Sequence, residues 1–178
     1  MQVILGFDKY IINLFQGIHN PLLDKFFSFV TTLGNVGIVW VIISVMLLCI
    51  KKYRRAGFVS LVSLIIGALV GNVFLKNMFQ RPRPFITMEG IKTVISYPTA
   101  YSFPSGHSTA SFTAMFGVVN NVDFKYIKAT VIILAILIAI SRVYLGVHYF
   151  TDILAGFVLG FICYKISEKI IYKSRLEI

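Results

Sequence analysis

Twenty consecutive residues from Ala56 to Leu75, AGFVSLVSLIIGALVGNVFL, carry no charge. At about 1.5 Å of rise per residue a helix of this length covers about 30 Å, the thickness of a bilayer core. A second apolar run, Val36 to Ile50, precedes it, and the two are separated by Lys51-Lys52-Tyr53-Arg54-Arg55. Four cations in five residues between two spans are the strongest positive-inside signal in the chain. Composition agrees, because 57% hydrophobic and only 13% charged residues cannot cover the surface of a water-soluble domain. The mean hydropathy is +0.83. With 178 residues the chain is expected to form one membrane-embedded domain over 1–178.

Taking the 51–55 loop as cytoplasmic orders the remaining spans. The span from Ala56 ends near Lys76 on the outer side, and the polar residues 77–104 form the longest loop. The chain re-enters at about Ser105 and runs to Val122. It turns at Asn120, Asn121, Asp123, Lys125 and Lys128, leaves again through Ala129 to Gly146, and returns through Thr151 to Ile166. A basic tail of Lys165, Lys169, Lys173 and Arg175 then falls on the inner side with the other basic segments. Phe7 to Ile18 has the spacing of an amphipathic helix suited to the interface. Asn20-Pro21 breaks it, Leu22 to Leu33 is short for a span, and Gly34-Asn35 reads as an outer turn. The expectation is an all-α bundle of about six transmembrane helices, the first short or kinked, with the N-terminus inside. The N-terminus lacks a basic n-region and a cleavage site, so it reads as uncleaved.

The net charge of +10 sits in short clusters between apolar runs, a pattern of topology signals and an anion site and not of a nucleic-acid groove. Cys49 and Cys163 lie within apolar stretches and read as small hydrophobes.

Three polar clusters fall at the outer ends of helices. The first is Lys76 with Arg81 and Arg83 in KNMFQRPRP, the second Pro104-Ser105-Gly106-His107, and the third Ser141-Arg142, His148 and Asp152 in SRVYLGVHYFTD. Each has an ordinary explanation when taken alone. A single cation at a helix end snorkels, Ser-Gly starts a helix, and a His–Asp pair four apart on a helix can be purely structural. Together they are harder to dismiss. Cations are disfavoured in outer loops, and Arg142 closes the apolar run Thr130 to Ile140 where a charge is costly unless paired or hydrated.

The chemistry follows from the residue types. Lys76, Arg83 and Arg142 suit phosphate oxygens, and Ser105 with the Gly106 N–H completes a cradle at a helix start. A carboxylate on one nitrogen of His148 leaves the other basic, so His148 is the expected nucleophile on phosphorus and Asp152 its orienting partner. His107 is the expected acid for the leaving oxygen and then the base for water. No metal or other cofactor is demanded, since no thiol or carboxylate cluster accompanies the three histidines.

At these residues the sequence resembles the type 2 phosphatidic acid phosphatase superfamily, whose pattern is KxxxxxxRP, PSGH and SRxxxxxHxxxD. Here it reads Lys76 through Arg83-Pro84, Pro104 to His107, and Ser141-Arg142 through His148 to Asp152, with every spacing intact. The resemblance covers about residues 55–165. It implies a six-helix membrane bundle, an active site at the outer leaflet of the plasma membrane, a lipid phosphate or diphosphate substrate, and the roles given above. Within the family the chain is similar to undecaprenyl diphosphate phosphatases, with phosphatidylglycerophosphate or phosphatidic acid phosphatase as the alternative. A phosphotransferase would use the same residues. A vanadate-bearing haloperoxidase shares the oxyanion pocket, but relatives of that kind are soluble and larger.

Overall fold

The computed structural model describes residues 2–173, with side chains from Leu5 onward. Arg175, the last member of the basic tail, lies outside the described residues. Among these residues the structure is helical and contains no strand. The order is α1 (Gln2–Gly17), α2 (Pro21–Leu33), α3 (Ile38–Cys49), α4 (Arg54–Gly67), a π-helical continuation Ala68–Leu75, α5 (Lys76–Phe79), α6 (Pro84–Thr87), α7 (Gly106–Asn121), α8 (Lys125–Tyr144) and α9 (Phe150–Lys173).

Helix starts follow local chemistry. Asn20 caps α2 by accepting from the N–H groups of Leu22 and Leu23, with Pro21 at the first position. Ser105 caps α7, its hydroxyl accepting from Ser108 N–H.

Three helical stretches are long and apolar enough to cross a membrane: Lys51–Thr87, Lys125–Tyr144 and Phe150–Lys173. The pair Pro21–Leu33 and Asn35–Cys49, bent by 41°, makes a fourth if counted as one broken span. α7 is shorter, at 16 residues, and packs most extensively against α9 and α4 at the centre of the bundle. Its flanks carry buried hydroxyls at Ser108, Thr109, Ser111 and Thr113. Trp40 Nε1 donates to Ser111 Oγ at 3.0 Å. Large apolar side chains such as Leu69, Val73, Phe74, Ile133 and Phe157 remain exposed on the flanks, as lipid-facing surfaces require.

The basic segments gather at one end. Lys52 pairs with Asp123 at 3.3 Å, and Ser167 Oγ donates to Val59 O at 2.8 Å. The three motif clusters lie at the opposite end.

The N-terminal part departs from the expected first span. Asp8 accepts from Thr151 N–H at 3.0 Å, and Gln16 Oε1 accepts from Lys92 N–H at 2.9 Å. Both ends of α1 therefore touch the motif-bearing end of the bundle, and α1 lies across that end, as its amphipathic spacing predicts, but at the end opposite the basic segments where the N-terminus was expected. Gly34-Asn35 is likewise not a turn between two spans. It belongs to the bend joining α2 to α3, where Val36 and Gly37 have φ of 54° and 70°. Valine in this region is strained by about 1–2 kcal/mol. The physical reason is α1's own amphipathy: Asp8 and Ile12 are buried while Phe7, Tyr10 and Leu14 stay exposed, a pattern for lying on a surface.

Small residues let α7 and α9 approach closely. A Cβ on Gly160 would sit 2.8 Å from Phe112 Cβ and 3.0 Å from Thr113 N. Gly160→Val should therefore separate the helices and destabilise the fold by about 1–3 kcal/mol, read as a lower unfolding temperature in detergent. Gly17→Ala, where a Cβ meets nothing within 4 Å, should leave that temperature unchanged.

Candidate active site

Six of the eight singled-out residues line one cleft of about 460 Å³: Lys76, Arg83, Gly106, His107, Arg142 and His148. Each arrives by a different route. The continuous helix from Arg54 carries Lys76 in its last turn, and Gln80, with φ of 44°, ends it. Arg83 precedes Pro84 at the start of α6. Arg142 lies in the last turn of α8. Gly146, with φ of 68°, then folds the chain back so that the N–H groups of Val147 and His148 both donate to Arg142 O at 3.2 Å. That turn places an imidazole beside a guanidinium six positions earlier.

Backbone carbonyls hold the cations. Lys76 Nζ donates to Tyr101 O at 3.0 Å. Arg83 donates through Nε to Ala100 O and through Nη1 to Val147 O, both at 2.7 Å, and through Nη2 to Tyr101 O at 3.3 Å. Arg142 Nη1 donates to the Thr31 hydroxyl. All three side chains are buried, and among the described residues none of them pairs with a carboxylate within 4.0 Å. Arg142 Nε, also buried, has no hydrogen-bond partner among the described residues. Removing charge from water costs several kcal/mol per ion unless it is compensated. A cleft walled by three such cations is built to be completed by an anion.

His148 stands between this wall and Asp152. Arg83 Nη1 lies 3.1 Å from Nε2 and can only donate, so Nε2 carries the lone pair and Nδ1 the proton. Nδ1 donates to Asp152 Oδ2 at 3.3 Å. Burial pushes the His148 pKa down despite Asp152, with Arg83 pushing the same way, so the ring is held neutral. Asp152 Oδ2 also accepts from Tyr149 N–H at 2.9 Å and from the Ser102 hydroxyl. His107 Nε2 donates to Asn35 Oδ1 at 3.1 Å. The two imidazoles thus face one cleft, His148 with its Nε2 lone pair turned to Arg83 and His107 with its Nε2 proton turned to Asn35. This is the pairing that nucleophilic attack and leaving-group protonation need.

Two residues of the set stand back from the cleft. Asp152 acts from behind His148. Ser105 is fully buried, and its Oγ accepts from the N–H and, at 2.9 Å, from the hydroxyl of Ser108, so it shapes the start of α7 from beneath. Tyr97, Tyr101, Phe103, Tyr144 and Tyr149 supply no side chain to the lining; its apolar side comes from Val36, Val41, Leu64, Ile65 and Ala68. Among the described residues, no three His, Cys, Asp or Glu side chains gather as metal ligands.

Arg81 stood in the first sequence cluster without an assigned role, and Asp8, Thr31, Asn35 and Asn72 were not singled out from sequence as site residues. Arg81 bridges Asp152 Oδ1 and Asp8 Oδ2, both at 2.7 Å, and lies over the Tyr149 ring at 3.8 Å from its centroid. Thr31 and Asn35 hold Arg142 and His107. Asn72, one of two polar types in an otherwise apolar run, lines the cleft one helical turn before Lys76. Asp8 carried a usable signal, a lone carboxylate in an amphipathic apolar helix. Nothing in the sequence marked Thr31.

A helical membrane bundle with this oxyanion cleft and paired imidazoles defines a class of membrane phosphatase, and the comparisons agree. The chain belongs to the PAP2 superfamily, whose model matches residues 56–175. It is 31% identical over 160 residues to an undecaprenyl-diphosphatase of Sulfolobus acidocaldarius, covering 88% of this chain and 74% of that one. It is 30% identical over 188 residues to a lipid A 4'-phosphatase of Porphyromonas gingivalis, covering 98% and 77%. The crystal structure of a transmembrane PAP2-type phosphatidylglycerolphosphate phosphatase from Bacillus subtilis superposes with a TM-score of 0.77 at 26% identity, covering 100% of this chain and 90% of that one.

The unpartnered Arg142 Nε makes a direct prediction about anion binding. Orthovanadate should raise the unfolding temperature of the wild-type protein. Arg142→Gln should weaken vanadate binding by about 1.5–3 kcal/mol, on the order of 10–100-fold, in an isothermal titration.

Proposed function

We propose that this chain is a metal-independent lipid phosphate phosphatase working through a phosphohistidine, with undecaprenyl diphosphate as its substrate at the outer leaflet of the plasma membrane. The observation that carries the reading is the set of buried cations without carboxylate partners, arranged around a neutral His148 whose lone pair faces them. Lys76, Arg83 and Arg142 hold the phosphoryl oxygens, with the Gly106 N–H at the start of α7 added to them. His148 Nε2 attacks phosphorus, the bond from phosphorus to the lipid-side oxygen breaks, and His107 gives that oxygen its proton. Asp152 steadies the imidazolium that results. Water then attacks the phosphohistidine, His107 takes its proton, and inorganic phosphate leaves with His148 restored.

The lipid reading is supported by the cleft's second wall. Val36 before α3, Val41 on α3, Leu64 and Ile65 on α4 and Ala68 just beyond it line the cleft beside the cations, a surface for the first carbons of a chain. The outer-leaflet placement is supported by the cations at 51–55, which lie at the end of the bundle away from the cleft. The diphosphate substrate is supported by the similarity to the undecaprenyl-diphosphatase.

The test is phosphate release in detergent over undecaprenyl diphosphate, phosphatidylglycerophosphate, phosphatidic acid and diacylglycerol diphosphate, with and without chelator. Undecaprenyl diphosphate should be preferred by more than about tenfold in kcat/KM, or 1.4 kcal/mol, and chelator should have no effect. Preference for phosphatidylglycerophosphate would move the substrate and keep the mechanism. Inhibition by chelator would end the metal-free scheme. His148→Ala should abolish both turnover and an acid-labile, alkali-stable phosphoenzyme. His107→Ala should slow turnover by about 10²–10⁴-fold.

A further inference from the structure

The charged groups behind His148 form a chain that leaves the cleft and ends on α1. Asp152 Oδ2 serves His148 Nδ1, Ser102 and Tyr149 N–H, while Oδ1 takes Arg81 Nη1 at 2.7 Å. The other arm of the same guanidinium, Nη2, donates to Asp8 Oδ2 at 2.7 Å. Asp8 is fully buried and takes no part in the cleft lining. It accepts in addition from Thr151 N–H at 3.0 Å and from Thr151 Oγ1 at 2.6 Å. Arg81 Nη1 itself donates to Thr151 Oγ1 at 2.8 Å.

We propose that Asp8 is a positioning residue for the phosphohistidine reaction, acting on His148 through Arg81 and Asp152; this rests on the function proposed above. Two carboxylates share one guanidinium, so the trio carries a net negative charge behind the nucleophile. Attack on phosphorus puts positive charge on the imidazole, and that negative charge stabilises it. Without Asp8, Arg81 neutralises Asp152 alone, and its unopposed field works against the imidazolium. The fork geometry matters too: Nη2 on Asp8 fixes Nη1 on Oδ1, which leaves Oδ2 aimed at Nδ1. Because Asp8 does not touch the cleft, it acts on the chemical step and not on substrate binding.

The experiment measures kcat and KM for the preferred lipid phosphate in Asp8→Asn, Asp8→Glu, Arg81→Gln and the Asp8→Asn, Arg81→Gln double variant. Asparagine keeps an acceptor for Thr151 N–H, so the start of α9 survives. Outer partners of an oriented imidazole–carboxylate pair are worth about 10–100-fold, and Asp8→Asn should lower kcat by about tenfold with KM within about twofold. Asp8→Glu should restore most of the loss. In the Arg81→Gln background, Asp8→Asn should cost nothing further, because the path to Asp152 is already cut. Wild-type kcat in Asp8→Asn overturns the proposal. A loss appearing in KM overturns it, and so does a loss of equal size with and without Arg81, which would make Asp8 merely the cap of α9. If Asp8→Asn fails to purify as a monodisperse protein, Arg81→Lys replaces it. A single ammonium cannot fork between two carboxylates, so a tenfold kcat loss supports the proposal and wild-type kcat overturns it. Failure of the wild-type protein to release phosphate from any lipid phosphate overturns the functional reading and this one with it, whereas an active wild type with indifferent variants overturns this one alone.

Discussion

Lys76, Arg83 and Arg142 keep their charges where little water reaches them, and their partners are carbonyls, a hydroxyl and an imidazole, all neutral. Neutral acceptors orient a cation without cancelling it. The cleft therefore keeps a positive potential that a carboxylate counter-ion would have quenched, and the folded chain bears the desolvation cost in advance. The contrast with Arg81 is instructive. It lies only a few residues from Arg83, yet it is paired twice with carboxylates and faces away from the cleft. Two arginines two positions apart have been given opposite electrostatic tasks.

Holding such a cleft open needs a stiff surround. The loop from Pro98 to Ser102 presents its carbonyls to two cations, and Ser102 is tied to Asp152, so the same short segment steadies both the cationic wall and the carboxylate behind His148. Below it, α7 and α9 meet at glycines, with backbone against backbone, and such packed contacts resist small displacements. The turn at Gly146 sets His148 relative to Arg142 through two backbone hydrogen bonds to one carbonyl. Rigid placement is what allows a static field to act at the moment of reaction.

Much of this was legible beforehand, for identifiable reasons. The spans from Ala56 onward follow from apolar length and cation placement, and Lys52 beside Asp123 shows the basic turns meeting at one end. The cleft residues were found because their spacing is local: six positions from Arg142 to His148 and four from His148 to Asp152 are distances a turn and a helix start can span. What escaped was long-range. Asp8 meets Arg81 across more than seventy positions, and Thr31 meets Arg142 across more than a hundred, with no periodicity linking them. The interfacial character of the N-terminal helix was legible in its amphipathic spacing, but that spacing does not say on which side it lies, and the chain start was placed at the wrong end. Ser105 was expected in the cradle, but its hydroxyl serves the helix start. A serine before a glycine fits both roles equally well from sequence. The region matched by the family model begins at residue 56, so the residues that hold Arg142, His107 and Arg81 from the N-terminal side all lie outside it.

The π-helical stretch Ala68–Leu75 bears on how such a span can change length. Its wider turns bond each N–H to a carbonyl five residues back, as Lys76 N–H does to Gly71 O. Relaxing one residue of that winding into an ordinary helix would swing everything beyond it by roughly 100° about the axis, since an α-turn holds about 3.6 residues. The Lys76 ammonium would then be carried away from the Tyr101 carbonyl that holds it. Deleting one residue from the stretch, by contrast, lets the tighter winding and the missing residue offset each other, so the ammonium keeps its bearing. In this way the segment works as a slack link: insertions and deletions in the middle of the span can be absorbed there while the cleft end stays in phase.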